Sequence, residues 1–371
     1  MKYIYEKENW TDFSWDGGKI APLLAKIHYK EGVLFGKLSV VDSSSQKEMM
    51  LNAVSSELQK SYEIEGEILD ISKVRSSFAS RLNISIADKT YSTKEIDCFV
   101  DILLDAVQNY SKDLTQERLF GWHKKMFGSG TSGLYKILVG EYRKTEMQVI
   151  SGSFGNEKTH FEAPAAELVE AEMRKFFDFV NKNEKQDPII KALIAHLWFV
   201  TIHPFDDGNG RLTRIITEML LARSSNSSYR LYSLSSQIMK ERNNYYDILE
   251  LTQKGTGDIT KWLLWFLQCI EKSINSAESA MNNILTKNIF WQKNAELMLN
   301  SRQKEMINRL FAGFDGKLTS SKWAKITKCS ADTALRDIND LISKNILIQD
   351  EGSGKNIGYV FVSTENPANT L

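Results

Sequence analysis

Twelve consecutive residues, His203-Pro204-Phe205-Asp206-Asp207-Gly208-Asn209-Gly210-Arg211-Leu212-Thr213-Arg214, bring together a base, an acid, two glycines and two guanidinium groups. Gly208 and Gly210 let the backbone turn its N–H groups inward, and a helix beginning near Asn209 adds unpaired donors and a positive dipole end. An anion fits such a corner. Arg211 and Arg214 lie three residues apart on one helix face, where planar guanidinium forks can grip successive phosphates. Asp207 is a hard oxygen ligand suited to a Mg²⁺ that bridges phosphate oxygens. His203 sits just outside the nest, where a neutral imidazole can take a proton from an incoming hydroxyl. Base, metal ligand, anion hole and clamp together describe a phosphate-transfer site. The plainer account has Asp207 and Asn209 capping a helix, the glycines turning the chain and the arginines solvated.

The flanking sequence must position these groups. Ile189 to Ile202 is apolar nearly all round, with Ile190, Leu193, Ile194, Leu197, Trp198 and Val200, the pattern of a buried helix. It ends where Pro204 disfavours the αR conformation at His203. Ile215, Ile216, Met219, Leu220 and Leu221 then recur at helical spacing. The polar run is therefore a corner between two core helices.

HPFDDGNGRLTR resembles, without a gap, the HxFx(D/E)GNGRxxR signature of Fic-domain proteins, most of which transfer AMP from ATP to a Ser, Thr or Tyr hydroxyl of a target protein. The resemblance implies a mainly α protein, a Fic-type helical bundle with a β-hairpin flap. It implies His203 as base, Asp207 as Mg²⁺ ligand, Gly208, Asn209 and Gly210 as anion hole, Arg211 and Arg214 as phosphate-binding groups, and Phe205 as the anchor of the loop. Upstream, Ser61-x-x-x-Glu65-Gly66 resembles the (S/T)xxxE(G/N) inhibitory motif of Fic proteins that carry their own brake, in which the Glu pairs with the second motif arginine, here Arg214. Glu65 also stands at a predicted helix C-terminus, the unfavourable dipole end for a carboxylate, so a basic partner is expected. Tyr142, Val149 and Ile150, a Gly-Ser centre at 151–155, and Thr159, His160 and Phe161 give a hairpin signal where the Fic flap would lie. Tyr245, Tyr246 and Gln253 fall in the region that closes over adenine in the family. His123 is expected to be a satisfied core histidine.

Lys+Arg 47 against Asp+Glu 47 gives no chain-wide bias toward nucleic acid or membrane. Cys98, Cys269 and Cys329 are far apart, without the spacing of a disulfide framework or a zinc site. With no apolar run long enough for a membrane and no leader-like start, the expected location is cytoplasmic.

The domain reading is 1–88 for an N-terminal helical domain with the inhibitory motif, 89–275 for the catalytic domain, 276–300 for a linker helix, and 301–371 for a winged helix-turn-helix module. Within the first, a stripe from Ile20 to His28 breaks at a Ser43–Ser45 turn and resumes from Met49 to Leu58. In the last, helices around Met306–Phe311, Ser320–Ile326 and Ser330–Ile342 precede Ile346–Ile348, a Gly352-Ser353-Gly354 turn and Tyr359–Phe361. Its recognition-like helix carries Arg336 and Lys344 but also Asp332, Asp337 and Asp340, so DNA, a protein partner and a second copy of the chain all stay open. The enzymatic alternatives are removal of AMP by the same site and transfer of another phosphate-containing group. From another class comes a nucleotide-sensing regulator of transcription.

Overall fold

A computed structural model describes residues 2–86, 89–151, 158–182, 186–311, 314, 316–350 and 357–362. Fourteen α-helices and three two-stranded antiparallel sheets occupy the described residues, so the protein is mainly helical. The chain divides into two units, Met1–Glu278 and Ser279–Leu371.

In the first unit, α1 (Gly17–Ser39), α2 (Ser43–Ile64) and α3 (Ile71–Arg81) precede α4 (Lys94–Gln108) and α5 (Gln116–Met126). The hairpin β1–β2 (Thr131–Ser132, Tyr135–Lys136) and the hairpin β3–β4 (Gln148–Ser151, Lys158–Glu162) follow. Then come α6 (Ala166–Asn181), α7 (Pro188–Ile202), α8 (Asn209–Ser224), α9 (Leu234–Lys240) and α10 (Arg242–Gln253). The helix α11 begins here at Thr260 and ends at Lys293.

Side-chain caps explain most starts: Asp16, Asp42, Asp70, Thr93, Thr115 and Asp187 each accept from a backbone N–H in the first turn of their helix. The Asp42 cap corrects one expectation. Ser43 to Ser45 form the first turn of α2 rather than a break, since an Asp ahead of three serines supplies the acceptor that starts a helix.

The core of this unit is the pair α7 and α8, with α4 packed on α8 and α6 on α7. Nearly every side chain from Ile189 to Ile202 is buried, as the unbroken apolar pattern requires. The helix α2 packs on α3, α4, α8 and α9, so the N-terminal helices share the core of the motif-bearing pair. A buried charged cluster lies at that junction. Arg230 pairs with Glu218 at 2.7 Å, Tyr232 donates to Glu31, and Glu57 of α2 accepts from Ser233 Oγ, Ser235 N–H and Ser235 Oγ.

The second unit contains α12 (Ser301–Phe311), α13 (Ser320–Thr327), α14 (Ala331–Ser343) and the hairpin β5–β6 (Leu347–Gln349, Tyr359–Phe361). Met306, Ile307, Leu318, Trp323, Ile338, Leu341 and Leu347 form its own core. The expected turns at 152–155 and 352–354 lie outside the described residues.

Candidate active site

The carbonyl end of α7 stops at His203, whose φ of 51° is left-handed, and the chain re-enters a helix at Gly208, φ 82°. Gly208 is required twice over: its φ suits a residue without a Cβ, and a Cβ there would come within 2.7 Å of Phe127. Between these points Asn209 closes the loop on itself. Its Oδ1 accepts from Phe205 N–H at 3.0 Å and its Nδ2 donates to Phe205 O at 2.8 Å. The Phe205 ring is fully buried and stacks on His123, with centroids 4.2 Å apart.

His123 is indeed a satisfied core histidine, and it also props the motif. Its Nδ1 accepts from Gly140 N–H, which leaves Nε2–H to donate to Asp207 O at 3.2 Å. Burial lowers its pKa to about 4, so the ring stays neutral in this tautomer.

His203 Nδ1 lies 3.1 Å from Val200 O and therefore carries the proton. Nε2 has no hydrogen-bond partner among the described residues, and the half-buried ring lines the adjoining cavity. Burial, with the charge of Arg143 beside it, holds this imidazole below the usual histidine value. The result is a neutral ring with a free lone pair, the state a general base needs.

The helix α8 starts without a side-chain cap, leaving the N–H groups of its first turn for an anion. Arg211 and Arg214 are 4% and 3% exposed, which rules out solvated arginines. Arg211 Nε and Arg214 Nη1 are buried donors without partners. Buried guanidinium donors left unmatched beside a bare helix N-terminus fit a phosphate chain.

Acidic and hydroxyl groups now hold those arginines. Arg214 Nε donates to Ser61 Oγ at 2.8 Å, and its Nη2 to Ser61 O at 2.7 Å and Glu65 Oε1 at 2.8 Å. A Cβ on Gly210 would collide with the Glu65 carboxylate, so that carboxylate lies against the first turn of α8. Arg211 Nη1 donates to Glu67 Oε1 at 2.7 Å, while the guanidinium packs over the Tyr62 and Phe127 rings. Gly66 makes both contacts possible. With φ 87° it closes α2 in a Schellman turn, Gly66 N–H to Glu63 O and Glu67 N–H to Tyr62 O, which brings Glu67 back over the site. Arg242 Nε and Tyr246 OH add donors to Ile64 O, so the end of α2 has the basic company its dipole calls for.

Asp207 Oδ1 accepts from Gly208 N–H and lies 3.4 Å from Arg211 Nη2, and its Oδ2 accepts from Ser132 Oγ of β1. No group of three metal-ligating side chains occurs among the described residues. One carboxylate beside a phosphate nest nevertheless suits Mg²⁺, which takes most of its ligands from phosphate and water.

The cavity next to His203 measures about 530 Å³ and is lined by Glu65 and Gly210, by Val149, Ile150, His160 and Phe161 of the β3–β4 hairpin, and by α10. Tyr245, Tyr246 and Gln253 all line it. Their polar ends are engaged elsewhere: Tyr245 OH lies 3.0 Å from His196 Nε2, Tyr246 OH donates to Ile64 O, and Gln253 Nε2 donates to Thr201 Oγ1. The hairpin register shifts between Val149 and Ile150, which pair with Phe161 and Thr159 and leave His160 as the extra residue. Its ring meets Glu250 of α10 at 2.8 Å, a clasp across the cavity.

Three groups escaped the sequence reading: Glu67, Ser132 and Arg143. Glu67 stood next to the inhibitory motif but one residue beyond its pattern. Ser132 and Arg143 reach the site only through the tertiary fold.

This helical architecture with its motif corner is the Fic fold. It is similar to that of a Fic family protein from Desulfovibrio desulfuricans, with a TM-score of 0.52 at 19% identity over 94% of this chain and 97% of that one. A Fic domain-containing signalling protein from Bacteroides thetaiotaomicron aligns with a TM-score of 0.50 at 19% identity, covering 68% of this chain and 97% of that one. Residues 113–221 match the Fic/DOC family and residues 3–84 match DUF4172, a domain of unknown function, so the chain carries a Fic domain behind an N-terminal domain of that second type. Among named relatives, the protein adenylyltransferase Fic of Nematostella vectensis is 24% identical over 259 residues, 68% of this chain and 55% of the relative. That of Drosophila grimshawi is 27% identical over 222 residues, 57% of this chain and 40% of the relative. The chain thus spans about half the length of the relatives it matches, or less.

Proposed function

We propose that the protein transfers AMP from Mg·ATP to a Ser, Thr or Tyr hydroxyl of a target protein. One observation carries this reading: a neutral His203 with its Nε2 lone pair free beside a bare helix N-terminus flanked by two buried arginines. The hydroxyl proton passes to His203 Nε2 as its oxygen bonds to the α-phosphorus, and the bond to pyrophosphate breaks. Arg211 and Arg214 bind the phosphates, the first turn of α8 binds an anionic oxygen, and the apolar flank of the cavity excludes water. Asp207 would hold Mg²⁺, which supplies charge neutralisation when bound. Names of relatives support adenylyl transfer over other phosphate chemistry. Incubation with α-³²P-ATP and γ-³²P-ATP tests it: label on protein from the α position alone is the expected result. Label from γ, or from neither, overturns it.

The same geometry supports autoinhibition. Glu65 pairs with Arg214 and lies against Gly210 in the first turn of α8, so a carboxylate stands in the way of a phosphate at the resting site.

For the second unit, DNA, a protein partner and a second copy of the chain are the ligands that its exposed helix α14 leaves open. Asp337 pairs with Arg302 and Asp340 with Lys344, so two acids of α14 are neutralised and, with them, Lys344 at its C-cap, one of its two basic residues. Arg336 and Asn339 remain on its exposed face, with Asp332 near the start.

A further inference from the structure

We propose that Arg143 is a positioning residue for this transfer: its guanidinium ties the carbonyl end of α7 to the foot of the β3–β4 hairpin and so fixes the place and tautomer of His203. The proposal rests on the adenylyl-transfer reading above. Arg143 is 2% exposed, and among the described residues no carboxylate is in ion-pair contact with it, although Asp206 and Glu167 lie close enough to act on its charge. It is satisfied by backbone instead. Nε donates to His203 O at 2.8 Å, Nη1 to Thr145 O at 2.9 Å, and Nη2 to Pro164 O and to Ile202 O, the last at 3.4 Å. Its own N–H donates to Pro204 O at 2.9 Å.

Thr145 precedes β3 and Pro164 follows β4, whereas Ile202, His203 and Pro204 are the end of α7 and the entry to the motif. One side chain therefore clamps both strands' feet to the catalytic corner. The need is physical. Pro204 has no N–H and His203 is left-handed, so the last carbonyls of α7 have no helical partners, and a cation at that end also faces the negative dipole. The His203 ring hangs from the same helix end through Val200 O. If that end relaxes, the ring turns and Nε2 leaves the line of the incoming hydroxyl. Lysine cannot replace the clamp, because one ammonium does not reach carbonyls on both sides as a planar fork does.

The test uses the full chain carrying Glu65→Gly, alone and with Arg143→Lys or Arg143→Gln. Nucleotide affinity is measured by calorimetry, transfer by single-turnover labelling from α-³²P-ATP, and the His203 tautomer by ¹⁵N NMR of imidazole-labelled protein without nucleotide. The expected result is nucleotide affinity within about threefold of the parent and transfer slower by about 10²-fold in Arg143→Gln, the scale of a misplaced reacting group. Arg143→Lys should recover part of that rate. The NMR pattern of a single Nδ1–H tautomer should give way to a mixture in Arg143→Gln. An unchanged rate, an affinity loss equal to the rate loss, or an unchanged His203 tautomer overturns the proposal. Arg143→Lys carries the same measurements if Arg143→Gln does not fold. Absence of label in every form, the parent included, defeats the adenylyl-transfer reading instead, and the NMR comparison still decides the role of Arg143.

Discussion

Glu67 Oε1 lies 2.7 Å from Arg211 Nη1, so the first motif arginine is held by a carboxylate just as Glu65 holds the second. The two pairs differ in burial. Glu65 is 31% exposed and Glu67 50%, so water screens the Glu67 contact more and it should be the weaker hold. Glu65→Gly should raise AMP transfer at least about tenfold, the lower part of the 1 to 3 kcal/mol range of such couplings. Glu67→Gln should raise it about two- to fourfold and add to Glu65→Gly, because each frees a different arginine. Arg214→Ala should be inactive with or without Glu65. Autolabelling with α-³²P-ATP across these forms is the check, and equal labelling by wild type and Glu65→Gly would remove the brake from the account.

His203→Ala should abolish transfer, by about 10²- to 10⁴-fold or more, while nucleotide affinity changes little. The ring contacts the hydroxyl and not the phosphates. Because burial lowers the His203 pKa, the base stays unprotonated as the pH falls through the usual histidine value near 6.5. In the Glu65→Gly form, the single-turnover rate should therefore hold constant from pH 8 to about 6.5 and decline only below that. A decline centred above pH 7 would mean that some other group limits the rate.

How much of this was legible in the sequence depends on the range of the interaction. The corner between α7 and α8 was readable because periodic apolar residues, a proline and two glycines are local signals, and Glu65 with Ser61 because they lie one helical turn apart. Glu67 was visible as a residue but not as a contact, since its approach to Arg211 depends on the Schellman turn at Gly66. Arg143 reads in sequence as an ordinary charged residue ahead of a strand. Only the fold shows that five hydrogen bonds from this residue meet backbone carbonyls there and that, among the described residues, no carboxylate forms an ion pair with it. The charges of α14 show the same limit: a charge count does not show that Asp337, Asp340 and Lys344 are paired within the unit.

Asp207→Ala should abolish Mg²⁺-dependent transfer, since Asp207 is the carboxylate that faces the phosphate nest. Ser132→Ala should act in the opposite sense. Its hydroxyl donates to Asp207 Oδ2 and competes for the lone pair that a cation would take, so its loss should lower the Mg²⁺ concentration for half-maximal rate by about two- to threefold. Titration of the rate with MgCl₂ in the two variants distinguishes them; a Ser132→Ala enzyme that needs more Mg²⁺ would show that the serine supports the site instead.

If the second unit contacts DNA through α14, the full chain should shift a nonspecific duplex at low salt and release it as salt rises, because phosphate contacts dominate such binding. Arg336→Ala should weaken the shift about uniformly across sequences or relax a preference at one position. No shift at about 50 mM salt would leave protein partners as the ligands of this unit.

The last prediction concerns Glu57, which lies on α2 two turns ahead of Glu65, on the side that packs against the segment leading into α9. Burial raises its pKa to about 7, the negative charge of Glu218 adds to this, and the donors from Ser233 and Ser235 only partly offset it. Its ordinary value is 4.5, so between pH 4.5 and about 7 the folded protein keeps a proton on Glu57 that the unfolded chain has lost. Stability contributed by this group is therefore full below pH 4.5, falls as pH rises through that window, and is gone above about pH 7. Glu57→Gln removes the titration. Wild type should lose about 2 kcal/mol more stability than Glu57→Gln between pH 5 and pH 8, seen as a difference of roughly 4 to 8 °C in the change of Tm. The measurement is thermal denaturation of both proteins at the two pH values. A parallel drop in both would show that Glu57 is ionised in the folded state throughout, with its three donors outweighing burial, and would leave Glu31 and Glu218 as the other carboxylates of that junction to examine.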